Sequence, residues 1–379
     1  MRIGIDARLA GLANRGLGRY LENFLKNLET LDKKNQYVVF LYKNNYEDYS
    51  FTSENFIKVK TNFRWYTIAE QLFFPLLIRR YKINFMYYPH FNIPLFTIRN
   101  FGLTLHDLTL LHYPDRREVG LRRATTLTPF FYNIKYSLFK ILQKFILKKA
   151  KFIIVPSNYV KNDVLNYYQI NADKIQVIYE GVTETAGRDL KFDLKKFGLT
   201  KPYLFYIGAA FPHKNLERLV KAFLIINKSK RYQLVISGGD DFFMKRLREW
   251  TKNINLEENE IIFTGFLDDQ ALANFYLNAE IFIMPSLSEG FGLPAVEAQA
   301  AGLPVVASDQ ASLKEILGKG AIFFNPFDLE DMSNKINFLL SDHKLQEKLK
   351  KNGTLNIKRF SWLKMTEEIL SLIYNFDKN

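Results

Sequence analysis

Glu289 and Glu297 are separated by seven residues, and the segment between them, Gly290-Phe291-Gly292-Leu293-Pro294-Ala295-Val296, reads as a loop running into a helix. Pro294 suits the first turn of a helix, where a missing N–H costs nothing, and Gly302 is placed to end it in a left-handed cap. Glu297 and Gln299 are the polar exceptions in an otherwise apolar helix, which should therefore be buried. Free N–H groups and the macrodipole at such a helix start favour an anion. Glu289 lies in the loop facing that start. The arrangement suits a phosphate-bearing ligand with one carboxylate on each side. An ordinary capped core helix with two solvated glutamates would carry the same letters.

A second cluster, Gly208-Ala209-Ala210-Phe211-Pro212-His213-Lys214-Asn215, follows the apolar run 203–207. Asn215 is a good N-cap for the helix expected over 216–226. That places Lys214 beside a helix N-terminus, where cation and dipole would act on one anion. In the first half, Gly16-Leu17-Gly18-Arg19 follow a short strand, the layout of an anion-binding turn, although the spacing is not that of a dinucleotide fingerprint. His106 and Asp107 stand at the end of another strand. His106 there could donate to a sugar hydroxyl or to developing charge, or could simply be satisfied by Asp107.

The elements that must position these residues alternate. Strands are expected at 2–7, 37–41, 84–88, 101–105, 152–155 and 175–178, then at 203–207, 233–237, 261–263, 281–284 and 304–307, with helices between them. Such alternation means parallel sheets covered on both faces, with ligands at the carboxyl ends of the strands. The first helix after a strand is expected from Tyr20 to Leu28. A loosened, charged stretch at 184–200 divides the chain into a first unit, 1–183, and a second, 201–360.

The length of 379 residues agrees with two domains. There are no cysteines, which excludes disulfides and thiolate metal sites and favours a reducing compartment. No D-x-D triplet occurs and the five histidines are scattered, so no metal site is expected. No signal peptide or membrane-crossing run is present, and the expected location is cytoplasmic, peripheral on the membrane at most. The net charge of +14 is uneven: residues 1–190 hold 28 Lys and Arg against 16 Asp and Glu, whereas 191–379 hold 25 against 23. An anionic partner for the first half would explain this. Residues 116–151, basic and rich in Phe, Tyr, Ile and Leu, suit anionic lipid headgroups; a core-covering helix with a solvated face accounts for the same pattern. No nucleic-acid-binding module is recognisable.

The whole set of motifs resembles family 4 retaining glycosyltransferases. The resemblance is carried by Ser288-Glu289-Gly290-Phe291-Gly292-Leu293-Pro294-Ala295-Val296-Glu297, Gly16-Leu17-Gly18-Arg19-Tyr20, Leu105-His106-Asp107-Leu108-Thr109, Val177-Ile178-Tyr179-Glu180-Gly181-Val182, Pro212-His213-Lys214-Asn215 and Thr264-Gly265-Phe266-Leu267. It implies the GT-B fold, an α/β architecture of two Rossmann-like, doubly wound parallel-sheet domains facing a cleft, with residues 361–379 crossing back to the first domain as a helix. It also implies a nucleotide-sugar donor and no cofactor or metal. Glu297 would hold the ribose, and Gly265, Phe266 and Leu267 would line the base. Glu289 would contact the donor sugar. The N–H groups of Phe291, Gly292 and Leu293, with Lys214, Gly16 and Arg19, would hold the diphosphate, and His106 would contact the sugar near its reacting carbon. The pattern departs from many relatives at Ala209, Ala210 and His213, where arginine is common, so the diphosphate clamp is less basic than usual. The stretch Leu105–Pro114 is similar to bacterial O-antigen mannosyltransferases. This favours mannose from GDP-mannose, moved onto a polysaccharide or polyprenyl-diphosphate-linked glycan by front-face transfer. A UDP-sugar donor, or a nucleotide-sugar epimerase or phosphorylase on the same fold, is the alternative.

Overall fold

Runs such as Tyr37-Val38-Val39-Phe40-Leu41 and Leu234-Val235-Ile236 have no polar face and are wholly buried, the pattern of strands covered on both sides. The computed structural model describes residues 1–11, 15–65, 67–114, 129–183, 192–254 and 260–377. In it these runs form two all-parallel sheets. The first contains β1 (Arg2–Asp6), β2 (Gln36–Tyr42), β3 (Phe56–Thr61), β4 (Phe85–Tyr88), β5 (Phe101–Thr104), β6 (Phe152–Val155) and β7 (Ile175–Val177), in the order β3-β2-β1-β4-β5-β6-β7. The second contains β8 (Tyr203–Ile207), β9 (Gln233–Ser237), β10 (Ile261–Gly265), β11 (Ile281–Met284), β12 (Val305–Ser308) and β13 (Ala321–Phe324), in the order β10-β9-β8-β11-β12-β13. Each order reverses beside its first strand, between β1 and β4 and between β8 and β11. Such reversals open the crevices in which doubly wound sheets bind ligands.

The first sheet carries α1 (Arg15–Leu31), α2 (Ile68–Arg80), α3 (Thr109–His112), α4 (Pro129–Lys149) and α5 (Asn158–Tyr168). The second carries α6 (Leu216–Ile226), α7 (Phe242–Lys252), α8 (Asp269–Asn278), α9 (Leu293–Ala300), α10 (Leu313–Leu317), α11 (Leu329–Ser341) and α12 (His343–Asn356), and the chain ends in α13 (Trp362–Asp377). The last helix packs on the first sheet's layer: Ile369 and Ile373 share a core with Leu21 and Phe24 of α1, and the Phe376 ring lies 5.2 Å from that of Phe85. Tyr374 donates to Asp32 Oδ2 at 2.6 Å. Burial would raise the Asp32 carboxyl, but hydrogen bonds from Tyr37, Tyr374 and Asn35 outweigh it and bring it down to about 2.

Two local expectations need correction. The segment around Gly16 and Gly18 is not a loop after β1: α1 starts at Arg15, so both glycines are in its first turn. The edge strand β3 was not expected. Its sequence Phe56-Ile57-Lys58-Val59-Lys60-Thr61 alternates instead of running apolar, because it has a neighbour on one side only.

Candidate active site

The start of α9 is built by glycines. Gly292 is left-handed (φ 85°), and a Cβ there would lie 2.7 Å from Leu313 Cδ2. Pro294 occupies the first turn, no side chain caps the helix, and the first backbone bond within it runs from Ala295 N to the Gly292 carbonyl at 3.0 Å. Gly302 adopts the expected left-handed conformation just beyond the end (φ 69°). Gly290 is more constrained still: a Cβ on it would sit 1.8 Å from the His106 carbonyl oxygen, at the end of β5 in the other sheet. Hydrogen bonds fix this approach. Ser157 Oγ donates to the Gly290 carbonyl at 2.9 Å, and the hydroxyls of Thr109 and Ser288 meet at 2.9 Å.

Lys214 and Glu289 arrive from the loops after β8 and β11, the strands at the reversal point. Lys214 Nζ stands 2.6 Å from Glu289 Oε1, with side chains 19% and 11% exposed. Lys214 ends a single 3-10 turn begun at Pro212. Asn215 occupies the N-cap position of α6, but its side chain makes no capping bond. It is left-handed (φ 61°), and its amide donates to the carbonyls of Pro285 (3.2 Å) and Pro326 (3.0 Å), tying the β8 loop to the loops after β11 and β13. The His213 carbonyl accepts from Leu287 N at 2.7 Å. Burial, then the Lys214 charge, push the His213 imidazole down to about 3, so it is neutral at physiological pH and adds no cation to the clamp.

Glu297 is 8% exposed and bound through both oxygens. Arg19 of α1 donates to Oε1, and the Tyr276 hydroxyl donates to Oε2 at 3.1 Å. Burial raises the Glu297 carboxyl and Arg19 opposes it, with a net upward shift. Arg19 also reaches Asp269 Oδ1 at 2.7 Å. The sequence-based place for Arg19 was the diphosphate; the structure instead brings it across the cleft to the carboxylate expected to hold the ribose. Gly16 lies against α9, where a Cβ would meet Leu293 Cδ1 at 3.7 Å. At the end of β10, Gly265 is left-handed (φ 73°) with open space around it, Phe266 is exposed and Leu267 is buried. Phe291 is buried against Phe360, with ring centroids 5.1 Å apart; it offers its backbone.

His106 is not satisfied by Asp107, whose carboxylate caps Thr109 N at 2.8 Å. Its Nδ1 lies 2.9 Å from Glu180 Oε1 and its Nε2 3.1 Å from the Pro89 carbonyl. A carbonyl only accepts, so Nε2 donates to Pro89, and the carboxyl group of Glu180 beside Nδ1 favours the protonated ring. Burial would lower its pKa, but the hydrogen bond and charge of Glu180 prevail and raise it. Tyr20 packs edge-on to the ring at 4.8 Å, and its hydroxyl joins those of Tyr87 and Thr104. Glu180 is the functional residue that the sequence reading quoted only as part of a motif; its signal was the strand-end position after β7. Among the described residues no cluster of three or more His, Asp or Glu gathers to hold a metal.

Residues 15–185 match the family model described as Glycosyltransferase Family 4, and residues 188–356 match the one described as Glycosyl transferases group 1. The O-antigen chain mannosyltransferase RfbU of Salmonella typhimurium is 28% identical over 272 residues, covering 72% of this chain and 69% of that protein. The O-antigen chain mannosyltransferase B of Escherichia coli is 26% identical over 306 residues, covering 78% and 75%. Among solved structures, sucrose-phosphate synthase from Thermosynechococcus elongatus shares the fold at a TM-score of 0.79 and 21% identity, over 100% of this chain and 99% of that one. Anabaena HepE in complex with UDP-glucose does so at 0.75 and 16%, over 99% and 100%. Two matched halves in sequence order, two parallel sheets and a cleft between their strand ends lead to one identification: the chain is a glycosyltransferase of family 4 with the GT-B fold.

Proposed function

We propose that the protein transfers a hexose, in the first instance mannose from GDP-mannose, to a polysaccharide or polyprenyl-diphosphate-linked glycan with retention at the anomeric carbon, at the cytoplasmic side of a membrane. One observation carries the reading. The loops after β8 and β11 bring Lys214 and Glu289 to the uncapped start of α9, and that start lies against the strand end that holds His106. The preference for mannose rests on the likeness to the O-antigen mannosyltransferases.

In this reading the diphosphate lies on the N–H groups of Phe291, Gly292 and Leu293, with Gly16 close by. Lys214 leaves Glu289 for the phosphate and Glu289 turns to the sugar hydroxyls. Glu297 exchanges Arg19 for the ribose, which frees Arg19 for the diphosphate, and the base lies along Gly265-Phe266-Leu267. The sugar–phosphate bond breaks with its electron pair on the leaving diphosphate, whose charge the N–H groups and Lys214 stabilise. The acceptor oxygen bonds to the anomeric carbon on the same face and gives its proton to the departing phosphate oxygen. His106 sits over this step as a fixed cation. No metal is assigned to it.

The test is a donor screen by binding and transfer in excess EDTA. GDP-mannose should bind and transfer without added metal, and Lys214→Ala should lower kcat about 100- to 1000-fold. Transfer from neither GDP- nor UDP-sugars, or wild-type rates in the variant, would overturn the reading; epimerised nucleotide sugar formed without acceptor would replace it.

A further inference from the structure

Helices α2 and α4 are each apolar on two faces. Phe74 and Ile78 of α2, and Ile146 and Leu147 of α4, point into one core beneath the first sheet. The opposite faces are also apolar. On α2, Ile68, Leu72 and Leu76 follow one another at four-residue intervals, with Phe73 beside them, and all four are at least half exposed (79%, 50%, 56% and 51%). On α4, Ile134, Leu138, Ile141 and Phe145 form a second outward stripe at helical spacing, exposed by 41–66%.

The two stripes lie on one surface. The loop after β4 joins them: Leu95 N donates to Gln71 of α2 at 2.9 Å, and Arg79 reaches the Phe96 carbonyl at 3.4 Å. At its other end Phe91 meets Phe139 of α4 at 5.6 Å. Phe96 adds a further ring that is 56% exposed. Exposed apolar stripes of this kind, on two helices that share one core, mark an interaction site.

Its charge selects the occupant. The exposed cations Arg79, Arg80 and Lys82 continue the end of α2, and Lys144, Lys148 and Lys149 line α4, with Lys149 Nζ 4.0 Å over the Phe145 ring. Neither helix shows an acid to solvent. Glu70, the one acid of α2, is fully buried on Arg8 at 2.6 Å, and α4 has none. A second copy of the chain meeting this face with its own would set like charges together. Residues 115–128 lie outside the described residues; as sequence they offer only Val119, Leu121 and Leu127 as large aliphatics, and four arginines against Asp115 and Glu118, an excess of cations. No described helix is long and apolar enough to cross a bilayer.

We infer that α2, the Phe96 loop and α4 form a face that docks on an anionic bilayer, its apolar side chains entering the headgroup boundary and its Arg and Lys side chains pairing with lipid phosphates. This extends the basic segment 116–151 to an element about sixty residues earlier in the chain, and it rests on the reading of a lipid-linked acceptor only for its purpose. The face includes the loop after β4, at the same carboxyl ends of the first sheet's strands as the loop that carries His106.

The experiment is flotation of the full chain with vesicles of phosphatidylcholine, with and without phosphatidylglycerol. The wild-type protein should float with phosphatidylglycerol vesicles and lose binding in high salt. Leu72→Glu combined with Ile141→Glu should lower the bound fraction about tenfold or more, since withdrawing either side chain from water accounts for at least that factor. GDP-mannose binding by the same variant, which lies outside the cleft, should stay at the wild-type level and shows that it is folded. Equal flotation of variant and wild type, or no flotation of the wild type, would overturn the proposal. So would a concentration-dependent dimer that the double substitution abolishes. Loss of nucleotide binding in the wild type would instead count against the proposed activity.

Discussion

His106 and Glu180 lie 74 positions apart in the chain and 2.9 Å apart in the cleft. A reading by sequence pairs a histidine with its nearest acid, here Asp107, whereas the fold uses Asp107 to cap Thr109 and brings Glu180 in from the end of β7. Glu180 is therefore a positioning residue, acting through the charge it keeps on the ring. Because the folded pKa of His106 is raised above 6.5, the stabilisation from the pair is complete below about pH 6.5 and is lost as pH climbs through the folded value. Replacing Glu180 by Gln should lower the pKa of His106, move the alkaline limb of the pH–rate profile to lower pH, and make the stability deficit of the variant largest in acid. Histidine ring NMR and a pH–rate profile read this out; an unmoved limb would mean that Glu180 only fills space. That Lys214 and Glu289 stand at strand ends of one sheet was legible, because each lies in its own stretch of glycine and proline after an apolar run. Arg19 on Glu297 was not, since that bridge joins the two sheets.

At the scale of elements, α9 is defined at both ends by left-handed glycines with different surroundings. Gly302 has nothing within 4 Å of a Cβ, whereas Gly292 has Leu313 at 2.7 Å. Gly302→Ala should thus cost only the conformational term, about 1–2 kcal/mol, with transfer intact. Gly292→Ala should cost more than this and displace the N–H groups at the helix start, so kcat should fall together with stability. Denaturant midpoints and kcat measured on both variants check the contrast, and equal effects on kcat would deny the helix start its role. Gly302 could be read from the sequence because a left-handed position after a helix names its residue; the left-handed Gly292 ahead of it was not read so. The edge strand β3 could not be read, since half-solvated alternation weakens an apolar signal. The outward stripes of α2 also escaped notice, because apolar letters say nothing of which side they face.

At the scale of the whole molecule, one carboxylate joins the two sheets' layers at a helix start. Glu315 of α10 accepts from the backbone of Asn158 (2.8 Å) and Tyr159 (2.9 Å), the first residues of α5, and from the Tyr179 hydroxyl (3.1 Å). A carboxylate of the second sheet's layer thereby sits on a helix start of the first, where the dipole favours it. Glu315→Ala should loosen the closed arrangement, giving a larger radius of gyration in solution scattering and a raised donor KM, with kcat at saturation less affected. An unchanged radius and KM would leave closure to the other contacts across the cleft, Arg19 with Glu297, Thr109 with Ser288 and Ser157 with Gly290 among them. The twofold alternation of strand and helix made the pair of sheets readable. Their closeness was not, because it depends on Gly290 lacking a Cβ.

The return of the chain in α13 has a mechanical consequence. The polypeptide passes between the sheets twice, and the crossings touch: Trp362 Nε1 donates to Thr183 Oγ1 at 3.2 Å, and a Cβ on Gly181 would fall 2.3 Å from Trp362 N. Two tethers at one place form a single pivot. An opening about it would carry Gly290 away from the His106 carbonyl along an arc and part Arg19 from Glu297 in the same movement.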